Sequence, residues 1–460
     1  MVRHFVQVGL VVAAVSSCSA PRSPAAPVDE RVSALVDAVS VSRLEQTVQR
    51  LAAFGTRNTL SDTESATHGI GAAREWIQRE FRQAGARLQV GFDIHHLEAQ
   101  GRLTRPVELR NVIAVLPGRS SRRVYITAHY DTVNIGPDAQ IGSNRRLPGV
   151  TVPDPQLDPA QDYNVPAPGA NDNGSGTALT IELARVLASS GIDFDATLVF
   201  ALWAGEEQGL FGSRAHAQRV QEDGLQVEAT LNNDIVGGSR GGDGRIDSRS
   251  VRVYAQGPED SMSRSLARYI ERAALRYVPS HRVRLMARED RFGRSSDHTP
   301  FVQRGFPAVV FRESKENFTR QHGVADTPDG VDLAYLAQNA RVNVAAAALL
   351  AMAPPAPRVT DDRGQTMIGR QPSGYDANLR WLAAPGAVAY RIYRRNPWSL
   401  SWESSHAVGN VTEFVAAGES IDDWVFGVAA VGPGGHESLV RAFVPRSRAD
   451  ADIKFRAGTD

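Results

Sequence analysis

The spacing of apolar residues changes period several times along the chain. Across residues 32–54, Leu35, Val36, Val39, Leu44, Val48 and Leu51 recur at near-helical intervals. Residues 72–84 place Ala73, Trp76, Ile77 and Phe81 on one helical face and stop at Gly85. Apolar runs at 88–94, 111–116 and 124–128 then predict strands. A helix is expected from about Thr177, with Leu179, Leu183, Val186 and Leu187 on its apolar face. The run 196–202 predicts a buried strand ending at Gly205, and 227–231 and 308–311 predict two more. Helices first, then strands alternating with helices, mark an α/β domain.

Four of these strands lead into acids or histidines. Residues 124–128 run into His129 and Asp131, and 196–202 into Glu206 and Glu207. Residues 227–231 run into Asp234, and His322 follows 308–311. Asp172 lies between the first two strands, in the glycine-rich turn GANDNGSG before a helix. Taken singly, these are a buried histidine bonded to an acid, two solvated glutamates and a helix cap. Their recurrence at strand C-termini, where α/β sheets bind ligands, points to one site. Residues i and i+2 of a strand face the same way, so Asp131 can fix the tautomer of His129. Zinc takes nitrogen and carboxylate oxygen, and a pair of zincs needs a bridging ligand. His129, Asp172, Glu207, Asp234 and His322 supply five ligands with Asp172 as the bridge, and Glu206 remains free as a base. Three carboxylates with one hydroxide would offset two divalent cations. Residues 132–168, rich in Pro, Asp and Asn, form a long loop expected to border the site.

In this order, HYD, GANDNGSG, WAGEE, NND and QHGVADT resemble the zinc-dependent aminopeptidases of the aminopeptidase Y type, also called the leucyl aminopeptidase and carboxypeptidase Q-like family. The resemblance covers residues 32–353 and implies a mixed central sheet flanked by helices, with two Zn2+ as cofactors. It implies one zinc on His129, Asp172 and Asp234, and the other on Asp172, Glu207 and His322. Asp131 would orient His129, and Glu206 would be the general base. SSDHTPF resembles the family's segment near the substrate pocket, with Asp297 and His298 in support. Some relatives have an oxyanion-stabilising tyrosine shortly before that segment, where this chain has Arg291, Phe292, Gly293 and Arg294. Gly323 follows His322 where threonine or serine is common.

A chain of 460 residues exceeds what one core usually serves. Residues 354–359, PPAPRV, read as a linker. Beyond it, 379–381, 387–393, 412–415 and 424–431 read as short strands of a small C-terminal β-sandwich resembling a fibronectin type III module. The domains expected are thus 1–28 as export signal and tether, 29–353 as peptidase and 354–460 as linker and sandwich. The first residues have a basic start at Arg3, an apolar core and small residues before Cys18, the pattern of a secretory signal. Cys18 is the sole cysteine and resembles a bacterial lipobox cysteine, so an intramolecular disulfide is excluded and a lipid anchor is expected. Ser19 after it resembles outer-membrane sorting; the alternatives are a periplasmic or secreted protein. The 42% hydrophobic fraction is ample for globular cores, and 51 basic against 51 acidic residues exclude a nucleic-acid partner on electrostatic grounds. Peptide substrates are expected, and nothing in the chain sets an oligomeric state. The leading expectation is an exported metallo-exopeptidase acting at peptide N-termini. The alternatives are a single-zinc glutaminyl-peptide cyclase and a non-catalytic ectodomain on the same fold.

Overall fold

The computed structural model describes residues 28–135 and 162–444. The export signal with Cys18, and most of the 132–168 loop, lie outside the described residues. The helical pattern of 32–54 is two helices, α1 (Glu30–Asp37) and α2 (Val41–Ala52), because Ser40 caps the second by accepting from Arg43 N–H. The helix α3 (Gly69–Ala84) ends at Gly85 as expected.

Strands and helices then alternate in the order β1 (Gln89–Leu97), β2 (Val107–Leu116), β3 (Arg123–His129), α4 (Gly174–Ala188), β4 (Thr197–Trp203), α5 (Phe211–Glu222) and β5 (Val227–Asn233). They continue as β6 (Ser250–Ala255), α6 (Met262–Tyr277), β7 (Arg282–Met286), α7 (Thr299–Gln303), β8 (Ala308–Glu313) and α8 (Leu333–Met352). The eight strands form one mixed sheet in the order β1-β2-β4-β3-β5-β8-β6-β7, and β4, β3, β5 and β8 run parallel at its centre. All seven residues of β4 are buried, which is why that run is continuously apolar rather than alternating. Val124, Ile126, Leu198, Phe200 and Leu202 join the core under α4. Tyr125, Val199, Ala201 and Trp203 point the other way, toward Ala217 and Val220 of α5. The chain leaves β3 for β4 on one side and returns to β5 on the other, and such a switch point opens a crevice at the strands' C-terminal ends.

Residues 368–442 form two antiparallel sheets, β9 (Ile368–Arg370), β10 (Ala377–Arg380) and β13 (Glu413–Ala416) in one, and β11 (Ala389–Arg395), β12 (Ser404–Gly409), β14 (Val425–Val431) and β15 (Arg441–Ala442) in the other. Leu379, Trp381, Tyr390, Ile392, Phe426 and Val428 fill the space between them, giving the expected sandwich. Among the described residues no helix is long and apolar enough to cross a membrane.

Candidate metal centre

The four central strands deliver their charged residues to one place. His129 ends β3, and its main-chain oxygen accepts from Thr177 Oγ1 on α4 at 2.8 Å. Its Nε2 lies 3.4 Å from Asp172 Oδ1 and 3.6 Å from Asp234 Oδ1. His322 Nε2 lies 2.9 Å from Asp172 Oδ2 and 3.4 Å from Glu207 Oε2. The two oxygens of Asp172 thus face different histidines. Ligand atoms of His129, Asp172 and Glu207 lie within 4.8 Å of one another, and so do those of His129, Glu206 and Asp234. All five residues named as ligands, with Glu206, are brought together. Asp297 and His298 are fully buried behind them, the latter with Nε2 3.0 Å from Glu289 O.

Asp131 is the key to the two glutamates. Its carboxylate accepts from the N–H groups of Glu206 and Glu207, each at 3.2 Å, and from Thr59 Oγ1 at 3.2 Å. The Nδ1 of His129 meets the main-chain oxygen of Asp131 at 3.2 Å, closer than its carboxylate at 3.5 Å. The carboxylate therefore aims mainly at the turn after β4, and the main-chain oxygen sets the ring.

Other supports carried no signal in the sequence. Asp326 accepts from the N–H groups of Asn171 and Asp172 at 3.0 and 2.8 Å, tying the bridge to the segment that carries His322. The fully buried Arg57 donates to the main-chain oxygens of Leu51, Tyr130, Pro168 and Gly169, so it closes both ends of the 132–168 loop. The N–H of Ile135 donates to His322 O at 3.0 Å, so the described start of that loop does border the site. Arg312, also fully buried, is ion-paired with Asp234 at 2.6 Å and Asp290 at 2.9 Å.

These residues fit divalent cations. Among the described residues Glu207 Oε1 is buried with neither a hydrogen bond nor an ion pair, a costly state for an anionic oxygen unless a cation meets it. Burial, then the charges of Asp172 and Glu206, pushes Glu207 well above the usual carboxylate range. Burial also drives Glu206 up, with Asp234 and Asp297 adding to it against the opposing pull of His129. Burial would raise Asp172 too, but His322 and His129 outweigh it and hold it low. Two nitrogens and several carboxylates form the donor set of zinc.

The model of peptidase family M28 matches residues 111–347, which hold every one of these side chains except Arg57 and Thr59. A probable zinc metalloprotease of Leptosphaeria maculans is 35% identical over 440 residues, covering 88% of this chain and 94% of that protein. Another from Pyrenophora teres f. teres is 34% identical over 450 residues, covering 90% and 86%. Among solved structures, the LapA aminopeptidase of Legionella pneumophila has a TM-score of 0.52 at 21% identity, covering 72% of this chain and 78% of that one. A glutaminyl cyclase of Macrostomum lignano has a TM-score of 0.51 at 17% identity, covering 71% and 94%. Both share the fold.

Proposed function

The chain belongs to peptidase family M28 and is a zinc metallopeptidase, and from that premise we propose that it is an exopeptidase that removes N-terminal residues from peptides, working with two zinc ions. The observation that carries the proposal is Asp172, whose two oxygens face His129 and His322 separately. His129, Asp172 and Asp234 would hold one ion, and Asp172, Glu207 and His322 the other. When bound, the ions supply Lewis acidity that polarises the scissile carbonyl and lowers the pKa of the attacking water.

The chain's own residues do the rest. Glu206 keeps part of its surface open to solvent while Glu207 is buried, so the first can meet water and substrate and the second cannot. The Glu206 carboxylate takes a proton from the attacking water and delivers it to the leaving amine. Asp131, holding both glutamate N–H groups, keeps the two side chains on separate tasks. Purified protein should release free N-terminal residues from unblocked peptides, spare N-acetylated ones and stop when a chelator is added. Pyroglutamate formation from N-terminal glutamine would instead support the cyclase. We further propose export with a lipid anchor at Cys18; an unmodified mature N-terminus beyond Cys18 by mass spectrometry would exclude the anchor.

A further inference from the structure

The half of the sheet beyond β8 carries a cluster of arginines that the peptidase chemistry leaves unused. Arg252 of β6 and Arg312 of β8 are register partners, so two guanidiniums leave adjacent strands side by side. Like charges in such pairs destabilise a sheet unless something offsets them. Arg291 and Arg294 reach the same place from the segment before α7. The offsetting acids are few. Arg312 pairs with Asp290 at 2.9 Å, and Arg252 and Arg291 with the two oxygens of Glu316 at 2.5 and 2.6 Å. Asp234 also meets Arg312, but it is a proposed zinc ligand. Among the described residues, four guanidiniums therefore share Asp290 and Glu316, the two carboxylates in contact that have no metal to serve.

Among the described residues Arg294 is the one left over. Its Nη1 is buried and makes no hydrogen bond, and its ion pair lies 3.5 Å away at Glu316 Oε2, an oxygen already taken by Arg291 and Gln321. The side chain is 18% exposed, so solvent reaches it. Burial and the charges of Arg291 and Arg312 lower its proton affinity, against the support of Glu316 and Asp172. Its place is beside the metal centre. Two residues on, Ser296 Oγ donates to Asp234 Oδ2, and Gln321, which donates to the same Glu316, precedes His322.

We propose that Arg294 is a specificity residue that binds a carboxylate of the substrate, either an acidic N-terminal side chain or the terminal carboxylate of a short peptide. A planar guanidinium with an unmet donor nitrogen and a partly exposed side chain suits a carboxylate, which a guanidinium can grip through two parallel hydrogen bonds. The bound anion would also supply the charge that the arginine cluster lacks. The inference rests on the aminopeptidase reading, and the test separates the two.

Zinc-loaded wild type and Arg294→Ala would be assayed on Glu- against Gln-p-nitroanilide, and on Leu-Leu against Leu-Leu-amide. In one pair the preference for the carboxylate member, read as a ratio of kcat/KM, should fall about 10- to 100-fold through KM, the scale of a hydrogen bond to a charged group. The affected pair identifies the source of the carboxylate. Arg294→Lys, which keeps the charge without the fork, should restore part of it. An equal loss in kcat on all four substrates would overturn the proposal, as would unchanged ratios. Calorimetric titration with free glutamate and with the dipeptide Leu-Leu supplies the independent readout. Arg294-dependent binding by a protein that cleaves none of the four would keep the subsite and reject the aminopeptidase reading.

Discussion

Glu206 and Glu207 are chemically identical neighbours whose surroundings divide their labour. Asp131 fixes both main-chain N–H groups, Glu207 lies 3.4 Å from His322, and Glu206 stays partly open to solvent. Glu206→Gln keeps the volume and cannot take the proton, so it should retain zinc while turnover falls by about 10²-fold or more, the usual scale for lost acid-base assistance. Glu207→Ala should instead lose zinc. Metal content and turnover of the two variants decide the assignment: near wild-type turnover in Glu206→Gln would reject it. The cluster of proposed ligands was legible because each is an acid or histidine at or beyond the end of an apolar run or in a glycine-rich turn. Arg57, Arg312 and Asp326 were not. Their partners lie far off in the chain, and an arginine or aspartate in a loop or strand looks solvated until the fold buries it.

Strands β3, β4, β5 and β8 are buried on both faces almost throughout, and the apolar runs this produces in β4 and at the start of β8 made them readable, with shorter apolar stretches marking β3 and β5. Strands β6 and β7 escaped because Arg252, Arg282 and Arg284 interrupt their apolar residues. The turn from β4 to α5 shows how one element fixes another. Asn111 of β2 accepts from Ala204 N–H through Oδ1 at 3.1 Å and donates to Gly212 O through Nδ2 at 3.1 Å. A Cβ on Gly212 would stand 2.2 Å from Asn111 Oδ1 and 2.4 Å from Ala204 O, so only glycine fits there. Gly212→Ala should therefore displace the turn that carries both glutamates. Overpacking of this kind costs about 1–3 kcal/mol, to be read as a lower unfolding midpoint, and zinc content should fall with it. An unchanged midpoint with full zinc would show that the turn has slack.

At the scale of the molecule, the C-terminal sandwich is joined to α6 by buried charge rather than by a loose tether. Arg268 of α6 donates to Leu400 O and lies over the Trp402 ring at 5.8 Å, and Arg395 of β11 pairs with Asp260 while almost fully buried. Ser265 donates to Val440 O, and Leu439 belongs to the main core. His436 reaches Asp29, the cap of α1, at 2.8 Å. The sequence pattern predicted the sandwich but not this joint, because its arginines show no periodicity. Removing residues 354–460 should strand buried arginines and open part of the core, lowering Tm by about 5 °C or more at a few degrees per kcal/mol. An unchanged Tm would mean that the two parts are energetically independent.

The most direct test of the account is the metal content of native protein, measured by elemental analysis together with anomalous scattering from crystals. Two zinc ions per chain are expected, about 3.5 Å apart with Asp172 between them, and Asp172→Ala should lose both. A fully active protein holding one zinc, or an Asp172→Ala variant that keeps both ions, would contradict it.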